Sequence, residues 1–270
     1  MVTFWPHPRT VLQQDAREFR ILTSLEEKKA LLLAAGIDRV EVIPFTREFA
    51  AMKADEYLQL LADKYGASLV VMGYDNRIGS DKLTAEEIGI SQAVAPRPLP
   101  TSLRSVGPLP FTWPRAAMVS EDSNAPVISS TKIRKALQEG RVEEANGMLG
   151  YRYGLYGVVV AGNQMGRTMG FPTANMQLYE PLKLVPANGV YAVEAEVLGT
   201  TYKGMCNIGM RPTVGGASRT IETHILDFDQ DIYGLPLRIR FLRRIRDERK
   251  FPSLEALREQ LTLDALNCKK

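Results

Sequence analysis

The sequence is poor in the residues that build metal centres and disulfide frameworks. Its 270 residues include two cysteines, Cys206 and Cys268, and two histidines, His7 and His224. Two widely spaced cysteines make neither a disulfide framework nor a zinc site. Two distant histidines exclude a multi-histidine metal centre. The scarcity of cysteine is consistent with a reducing environment, so we expect a cytoplasmic protein.

Long apolar stretches are also missing. No run approaches the ~18–20 residues that a membrane-spanning helix requires, and the first residues show no basic stretch followed by an apolar one, as a signal peptide would. Hydrophobic residues make up 45% and charged residues 24% of the chain, as in ordinary globular proteins. The length suits two modest domains, and we expect no association with a membrane.

Net charge and glycine content differ between the two halves of the chain, before and after Gly150. Residues 1–150 carry 18 Lys and Arg against 19 Asp and Glu, whereas residues 151–270 carry 16 against 12. Glycine rises from 9 in the first 150 residues to 12 in the last 120. We therefore predict two domains, 1–150 and 151–270, the second of them turn-rich, basic and suited to an anionic ligand.

The first half alternates helix-like and strand-like segments. A capping-box start at Thr23 opens a helix that ends at Gly36, and residues 40–45 form a β-branched strand. A helix over residues 48–65 and a buried strand over residues 68–72 follow. This order predicts an open α/β sheet. Residues 95–126 form a long loop. A helix then begins near Ser129–Thr131 and ends at Gly140, and a second short helix runs to Gly150.

The second half reads as closely spaced strands separated by Gly, Pro and Asn. Such spacing predicts an antiparallel barrel, and an amphipathic pattern over residues 253–266 predicts a final helix. The predicted strands cover residues 155–160, 189–197, 202–208, 221–228 and 237–242.

A Gly-rich loop over residues 162–175 carries the sharpest chemical signal. Gly162, Gly166 and Gly170 allow backbone N–H groups to approach phosphate oxygens, and Arg167 can neutralise a phosphate. Thr173 and Asn175 share a face on an extended segment, and their oxygens are ligands that Mg²⁺ accepts. A hairpin turn followed by an ordinary strand is the alternative interpretation of the same residues.

Two further segments could take part in catalysis. Glu222 is a lone carboxylate in a β-branched run, where a general base for an alcohol could be held, although an exposed strand glutamate would look the same. Residues 238–250 contain seven basic side chains. Arg238 and Arg240 suit a solvated strand face, whereas Arg246 and Arg249 precede Phe251 and the final helix, where a substrate could meet them.

Four motifs in the second half resemble the riboflavin kinase family. They are Gly-Phe-Pro-Thr-Ala-Asn at 170–175, Asn-Ile-Gly-Met-Arg-Pro-Thr at 207–213, Ile-Glu-Thr-His-Ile-Leu at 221–226 and Arg-Lys-Phe-Pro-Ser-Leu-Glu at 249–255. The resemblance implies a Greek-key β-barrel that phosphorylates riboflavin to FMN with ATP and Mg²⁺. The implied roles are Glu222 as base, Thr173 and Asn175 on the metal, Gly162, Arg167 and Thr173 on the nucleotide, and Ile225, Asp227, Arg246 and Arg249 at the flavin.

The first half resembles the FMN adenylyltransferase module that precedes this kinase in bacterial bifunctional riboflavin kinase/FAD synthetases. The segments that carry the resemblance are 4–9, 22–28, 73–75 and 128–134. It implies an incomplete Rossmann-like nucleotidyltransferase domain, whose nucleotide-site residues would be Asp75, Ser129, Ser130 and Arg134. A plain helix cap is an alternative role for Ser129. The family's Gly-x-Phe-Asp-Gly-x-His-x-Gly-His stretch does not occur in these 270 residues, so we expect FMN and little or no FAD.

Two competing hypotheses stay open: an intact bifunctional enzyme whose Gly/His motif lies upstream of Met1, and a nucleic-acid-binding barrel without catalysis. Arginine clusters on a β-barrel can hold a single strand, but that mode uses aromatic stacking platforms on one face. Here the aromatic residues are scattered and the Gly-rich loop would have no role. The sequence therefore favours a kinase acting on small molecules, with no nucleic-acid partner.

Overall fold

The computed structural model describes residues 1–12, 19–67, 70–71, 77–84, 87–88, 128–162, 165–213 and 216–269. The chain divides into two compact units. Among the described residues, the first unit takes 1–12, 19 and 25–88, and the second takes 20–24 and 128–269.

The first unit is built on a parallel strand pair, β1 (Val2–Trp5) and β2 (Glu41–Pro44), in which Val2 is the partner of Glu41. Its helices are α1 (Pro8–Leu12), α2 (Leu25–Ala34), α3 (Arg47–Ala51) and α4 (Ala54–Tyr65). Rings from three of these elements and the β2–α3 turn pack at centroid distances of 5.4–6.2 Å: Phe4, Phe45, Phe49 and Tyr57. The strand–helix alternation confirms the predicted α/β class.

The single helix predicted over residues 48–65 is wrong, because the helix is interrupted at Met52 and Lys53. Met52 has an extended backbone with ψ of 134°. Polar groups of residues 80 and 81 take over the bonds that a continuous helix would make: Ser80 donates to the carbonyls of Ala51 and Met52, and Asp81 accepts from the amide of Ala54. These partners lie about 30 residues away in sequence, so helical periodicity could not reveal the break.

The second unit is a closed six-stranded antiparallel barrel in the order β3-β4-β7-β6-β5-β8. It confirms the predicted barrel, and it adds a strand over residues that the sequence analysis left as an extended segment, Ala174–Leu178. The strands are β3 (Gly154–Val160), β4 (Ala174–Leu178), β5 (Gly189–Val197), β6 (Thr200–Thr213), β7 (Gly216–Ile225) and β8 (Pro236–Arg246).

Helices complete the second unit on two sides. Helices α5 (Ser130–Gln138) and α6 (Val142–Leu149) bury Leu137 and Val142 in the same core as the barrel interior. A one-turn helix, α7 (Met165–Thr168), lies within the Gly-rich loop. The last helix, α8 (Leu254–Lys269), packs through Leu261, Ala265 and Cys268 on a second apolar cluster on the barrel's outer face.

The strand expected over 68–72, the loop expected over 95–126 and the candidate residue Asp75 lie wholly or mostly outside the described residues. The predicted domain boundary after Gly150 stays a prediction. No helix in the described part of the chain is long and apolar enough to cross a membrane.

Candidate active site

Glu222 lies in the middle of β7, flanked by β4 and β6. Its register partners are Asn175 on β4 and Asn207 on β6. Ile221 and Ile225 are buried in the barrel core, so the alternation of a strand places Glu222 on the outer face. Directly paired residues project to the same side of a sheet. The fold therefore brings Glu222 and Asn175 together, as their predicted roles require.

Two neighbours bracket the Glu222 carboxylate. Thr173 Oγ1 donates a hydrogen bond to Glu222 Oε2 at 3.4 Å, and Arg211 Nη2 lies 3.7 Å from Oε1. The Glu222 side chain is 23% exposed and that of Arg211 33%. The carboxylate is therefore held from both sides, yet it remains accessible to a substrate.

The Gly-rich loop lies directly against these residues. A Cβ at Gly162 would collide with the side-chain amide of Asn175, and one at Gly166 would collide with the carbonyl oxygen of Phe171. Phe171 donates its amide to Gly166 at 2.8 Å, which closes the turn. Glycine is therefore required at 162 and 166 for close packing. This packing brings Gly162 to Asn175.

His224 fixes the segment that carries Thr173. The carbonyl of Pro172 can only accept a hydrogen bond, so the contact of 2.8 Å means that His224 Nδ1–H donates to it. The His224 ring also stands edge-on to Phe171, with centroids 5.3 Å apart. His224 is therefore a structural neighbour of the site that orients the Pro172–Thr173 turn.

An open pocket of about 220 Å³ lies beside this cluster. Arg167 from the Gly-rich loop and Thr173 both lie on its wall. The loop after β7 supplies the opposite wall. The lining residues are Val159, Arg167, Pro172, Thr173, Ala174, Thr223, Ile225, Phe228, Asp229, Gln230, Asp231, Ile232 and Tyr233. Thr173 thus lines the pocket and also contacts Glu222.

The four residues expected at the flavin are distributed over two places. Ile225 is buried and lines the pocket with Arg167. Asp227 is exposed and pairs with Lys269 at 3.1 Å. Arg246 binds the buried Asp264 at 2.8 Å, and Arg249 hydrogen-bonds to Gln260. Both of these arginines also approach the ring of Phe251, at 5.5 and 4.9 Å from its centroid.

The residues expected at an adenylyltransferase site are held by backbone contacts. Ser129 caps α5 by accepting from the amide of Lys132 at 3.3 Å, as the plain-cap interpretation requires. Ser130 is the first residue of that helix, and Arg134 Nε donates to the carbonyl of Arg20 at 3.0 Å. Since Asp75 lies outside the described residues, the predicted role of this group stays a prediction.

Sequence reasoning missed Arg211 and the pocket wall formed by residues 228–233. Arg211 belongs to the Asn-Ile-Gly-Met-Arg-Pro-Thr segment, which was recognised only as a motif. Asp227, which directly precedes this wall, has a left-handed backbone with φ of 55°. Within the described ranges, no group of three or more His, Cys, Asp or Glu side chains could hold a metal ion.

Two protein-family models match this chain, in the same order as the motifs found in the sequence. Residues 149–270 match the family model for riboflavin kinase, and residues 1–93 match the model for FAD synthetase.

Full-length relatives carry both activities in their names. The chain is 35% identical over 268 residues to the bifunctional riboflavin kinase/FMN adenylyltransferase of Bacillus subtilis, covering 98% of this chain and 79% of that protein. It is 32% identical over 275 residues to the Escherichia coli K12 protein of the same name, covering 100% and 81%.

A crystal structure from Streptococcus pneumoniae, described as a macrolide-efflux protein, aligns at a TM-score of 0.82 and 32% identity. It covers 100% of this chain and 82% of that one. The two family models, and relatives that match nearly all of this chain and about four fifths of their own length, agree with the order of the motifs. The chain therefore belongs to the bifunctional riboflavin kinase/FMN adenylyltransferase family.

Proposed function

We propose that this protein transfers the γ-phosphoryl group of ATP to the ribityl 5′-hydroxyl of riboflavin, giving FMN and ADP. The observation that carries the proposal is the position of Thr173, which lines the pocket and whose hydroxyl contacts the Glu222 carboxylate. A nucleotide in that pocket and an alcohol at Glu222 would meet at this residue. The family membership supports the same reaction.

Glu222 acts as the general base. It takes the proton of the 5′-hydroxyl while that oxygen forms a bond to the γ-phosphorus. The bond from the γ-phosphorus to the bridging oxygen breaks, and ADP leaves with the electron pair. Phosphoryl transfer depends on position and charge neutralisation more than on many reacting side chains. A single carboxylate among fixed neighbours meets that requirement.

Thr173 and Asn175 are the side chains that would hold Mg²⁺. Thr173 supplies a hydroxyl and Asn175 an amide oxygen next to Glu222, and the three come from adjacent strands and their ends. This donor set fits a hard cation that keeps most of its waters and binds substrate phosphates. When bound, Mg²⁺ neutralises phosphate charge.

Arg167 and Gly162 bind the phosphates of the nucleotide. Arg167 is exposed on the pocket wall, where its guanidinium can pair with a phosphate. Gly162 packs on Asn175, so its backbone can follow the nucleotide closely. Arg246, Arg249, Ile225 and Asp227 are proposed at the flavin, with the first two arranged around Phe251.

Adenylylation of FMN to FAD is the second candidate function, and we assign it to residues 1–150. The match of residues 1–93 to the FAD synthetase model favours it. The expectation of little or no FAD from the sequence stays a prediction, and the assay below tests it.

Incubation of the protein with riboflavin, ATP and Mg²⁺, followed by chromatography, tests both reactions because FMN and FAD elute separately. We expect FMN to accumulate with one ADP per FMN. A preparation that binds riboflavin and makes no FMN would contradict the kinase. Filter binding with a single-stranded oligonucleotide tests the competing barrel hypothesis, which predicts retention that riboflavin does not change.

A further inference from the structure

Arg211 on β6 approaches the Glu222 carboxylate on β7, although the two residues are four register positions apart along the pair of strands. Arg211 is the register partner of Ser218, whereas Glu222 is the partner of Asn207. At about 3.3 Å per residue, the two Cα positions are therefore roughly 13 Å apart. The separation of 3.7 Å between Arg211 Nη2 and Glu222 Oε1 requires both side chains to extend toward each other.

The residue between them on β6 permits this approach. Gly209 is two residues from Arg211 and shares its face. A Cβ there would collide with the carboxylate of Glu248. Glu248 is itself held by Asn188, whose Nδ2 donates to Oε2 at 3.4 Å. The Glu248 carboxylate thus lies over the same stretch of β6 as Arg211. Its negative charge favours a positively charged side chain at this place.

We propose that Arg211 is a positioning residue for phosphoryl transfer, acting through Glu222. Arg211 restrains Oε1 and Thr173 restrains Oε2, so the carboxylate presents its remaining lone pairs in one orientation. A carboxylate has about four acceptor sites. The two neighbours therefore leave room for the substrate hydroxyl. The inference rests on the proposed role of Glu222 as general base.

The pair has little effect on stability, and this separates its role from a structural one. Partly exposed ion pairs contribute little to folding. Misplacement of a reacting group by about 1 Å can lower the rate by about 10²-fold. Loss of Arg211 should therefore reduce kcat far more than it reduces stability or substrate affinity.

A double-mutant cycle on the full chain tests this. We expect Arg211→Gln to lower kcat by about 10–100-fold, with the KM for riboflavin and for ATP changed by less than about 3-fold. Arg211→Lys, which keeps the charge, should recover part of the loss. In a Glu222→Gln background, Arg211→Gln should cause no further decrease, because its effect passes through the missing carboxylate.

Arg240→Gln is the matched control. Arg240 has the same 33% side-chain exposure and pairs with Glu196 at 2.6 Å, and it has no place in the proposed site. Its kcat should equal that of the wild type. Riboflavin fluorescence titration counts folded, flavin-binding protein, so each kcat is expressed per binding site even if a variant folds poorly.

The possible failures can be told apart. Unchanged kcat in Arg211→Gln, or a full further loss in the Glu222→Gln background, would overturn the role of Arg211 and leave the kinase proposal intact. Wild-type kcat in Glu222→Gln would instead remove the proposed base.

Discussion

At the scale of single residues, the site depends on one carboxylate with neighbours from two segments of the chain, residues 173–175 and strand β6. Thr173, just before β4, donates a hydrogen bond to Glu222, and Arg211 on β6 lies 3.7 Å from its carboxylate. Asn175 is its register partner on β4. None of these contacts is local in sequence. Glu222 can therefore be tested separately from the residues that surround it.

The first prediction concerns Glu222 itself. Glu222→Gln keeps the shape of the side chain, but it replaces one acceptor oxygen with an NH₂ donor and cannot accept the proton of the hydroxyl. We expect kcat to fall by about 10²–10⁴-fold while riboflavin binding, followed by fluorescence, is retained. Glu196→Gln, on an exposed pair outside the site, is the control and should keep wild-type turnover.

The second prediction concerns the proposed metal ligands. Thr173→Ala and Asn175→Ala should raise the Mg²⁺ concentration needed for half-maximal rate and weaken ATP binding, because each removes an oxygen donor. Riboflavin affinity measured without ATP should change little. Magnesium titration curves that overlay the wild type would show that the Thr-x-Asn pair is structural.

The third prediction concerns the buried thiols. Burial raises the pKa of Cys206 to about 12 and that of Cys268 to about 11, from an ordinary value of 9.0. Above pH 9 the unfolded chain loses these protons while the folded chain keeps them, so stability falls as pH rises. We expect the free energy of unfolding to drop by about 4 kcal/mol between about pH 8 and about pH 10.5, about 2 kcal/mol for each thiol.

Guanidinium unfolding midpoints across this range measure the effect. Cys206→Ala will be less stable at every pH because it leaves a cavity. Its stability should nevertheless fall less steeply with pH than that of the wild type. Equal slopes in the two proteins would mean that Cys206 does not contribute to the alkaline loss.

At the scale of elements, the attachment of α8 to the barrel is the critical contact. Arg246 at the end of β8 binds Asp264 on α8 with two nitrogens, Nε at 2.9 Å and Nη2 at 2.8 Å. Gln260 donates to the other oxygen of Asp264 at 2.7 Å. Because Asp264 is fully buried, its charge depends on these partners, and the pair fixes α8 beside Arg249 and Phe251.

The fourth prediction follows from this attachment. Asp264→Leu leaves the Arg246 guanidinium largely buried without its partner, so we expect a loss of about 3 kcal/mol in the free energy of unfolding. The KM for riboflavin should rise as well, since α8 and the Arg249 segment lose their anchor. Denaturant unfolding and steady-state kinetics measure the two effects.

Glu196→Gln again provides the comparison, since it breaks the partly exposed pair with Arg240. It should change stability by less than about 1 kcal/mol. Similar decreases in the free energy of unfolding in the two variants would show that the buried Asp264 pair contributes no more than a partly exposed pair.

At the scale of the whole molecule, the second unit extends beyond the residues that carry kinase motifs. The side chain of Asn146 on α6 accepts from the amide of Tyr153 at 2.7 Å and donates to the carbonyl of Phe241 at 2.9 Å. Residues 20–24 also belong to this unit. The amide of Ile21 donates to the carbonyl of Leu182, and the amide of Leu184 donates to the carbonyl of Ile21, both at 2.9 Å. The helices before residue 150 therefore contribute to the barrel's stability.

The fifth prediction compares two truncations. A chain of residues 128–270 keeps α5 and α6, whereas a chain of residues 151–270 exposes the barrel surface that Leu137 and Val142 cover. We expect the longer piece to unfold cooperatively and to make FMN, and the shorter one to be less stable by several kcal/mol, roughly the value of two buried aliphatic side chains. Equal melting temperatures would contradict the packing argument.

The sequence alone determined the two fold classes, the barrel, its final helix and the identity of the candidate residues. Strand periodicity and glycine spacing are local properties, and the motifs around Thr173, Glu222 and Arg249 are contiguous in the chain. Helix ends at Gly66 and Gly150 were also recognisable, because both residues adopt the left-handed backbone that glycine favours.

Only the tertiary structure decided which of those residues meet. The break at Met52 depends on Ser80 and Asp81, and the bracket around Glu222 depends on a β6–β7 register that brings Arg211 within 3.7 Å. Register and long-range hydrogen bonds are set by the packing of the whole barrel. They link residues far apart in the chain and leave no local periodic signal.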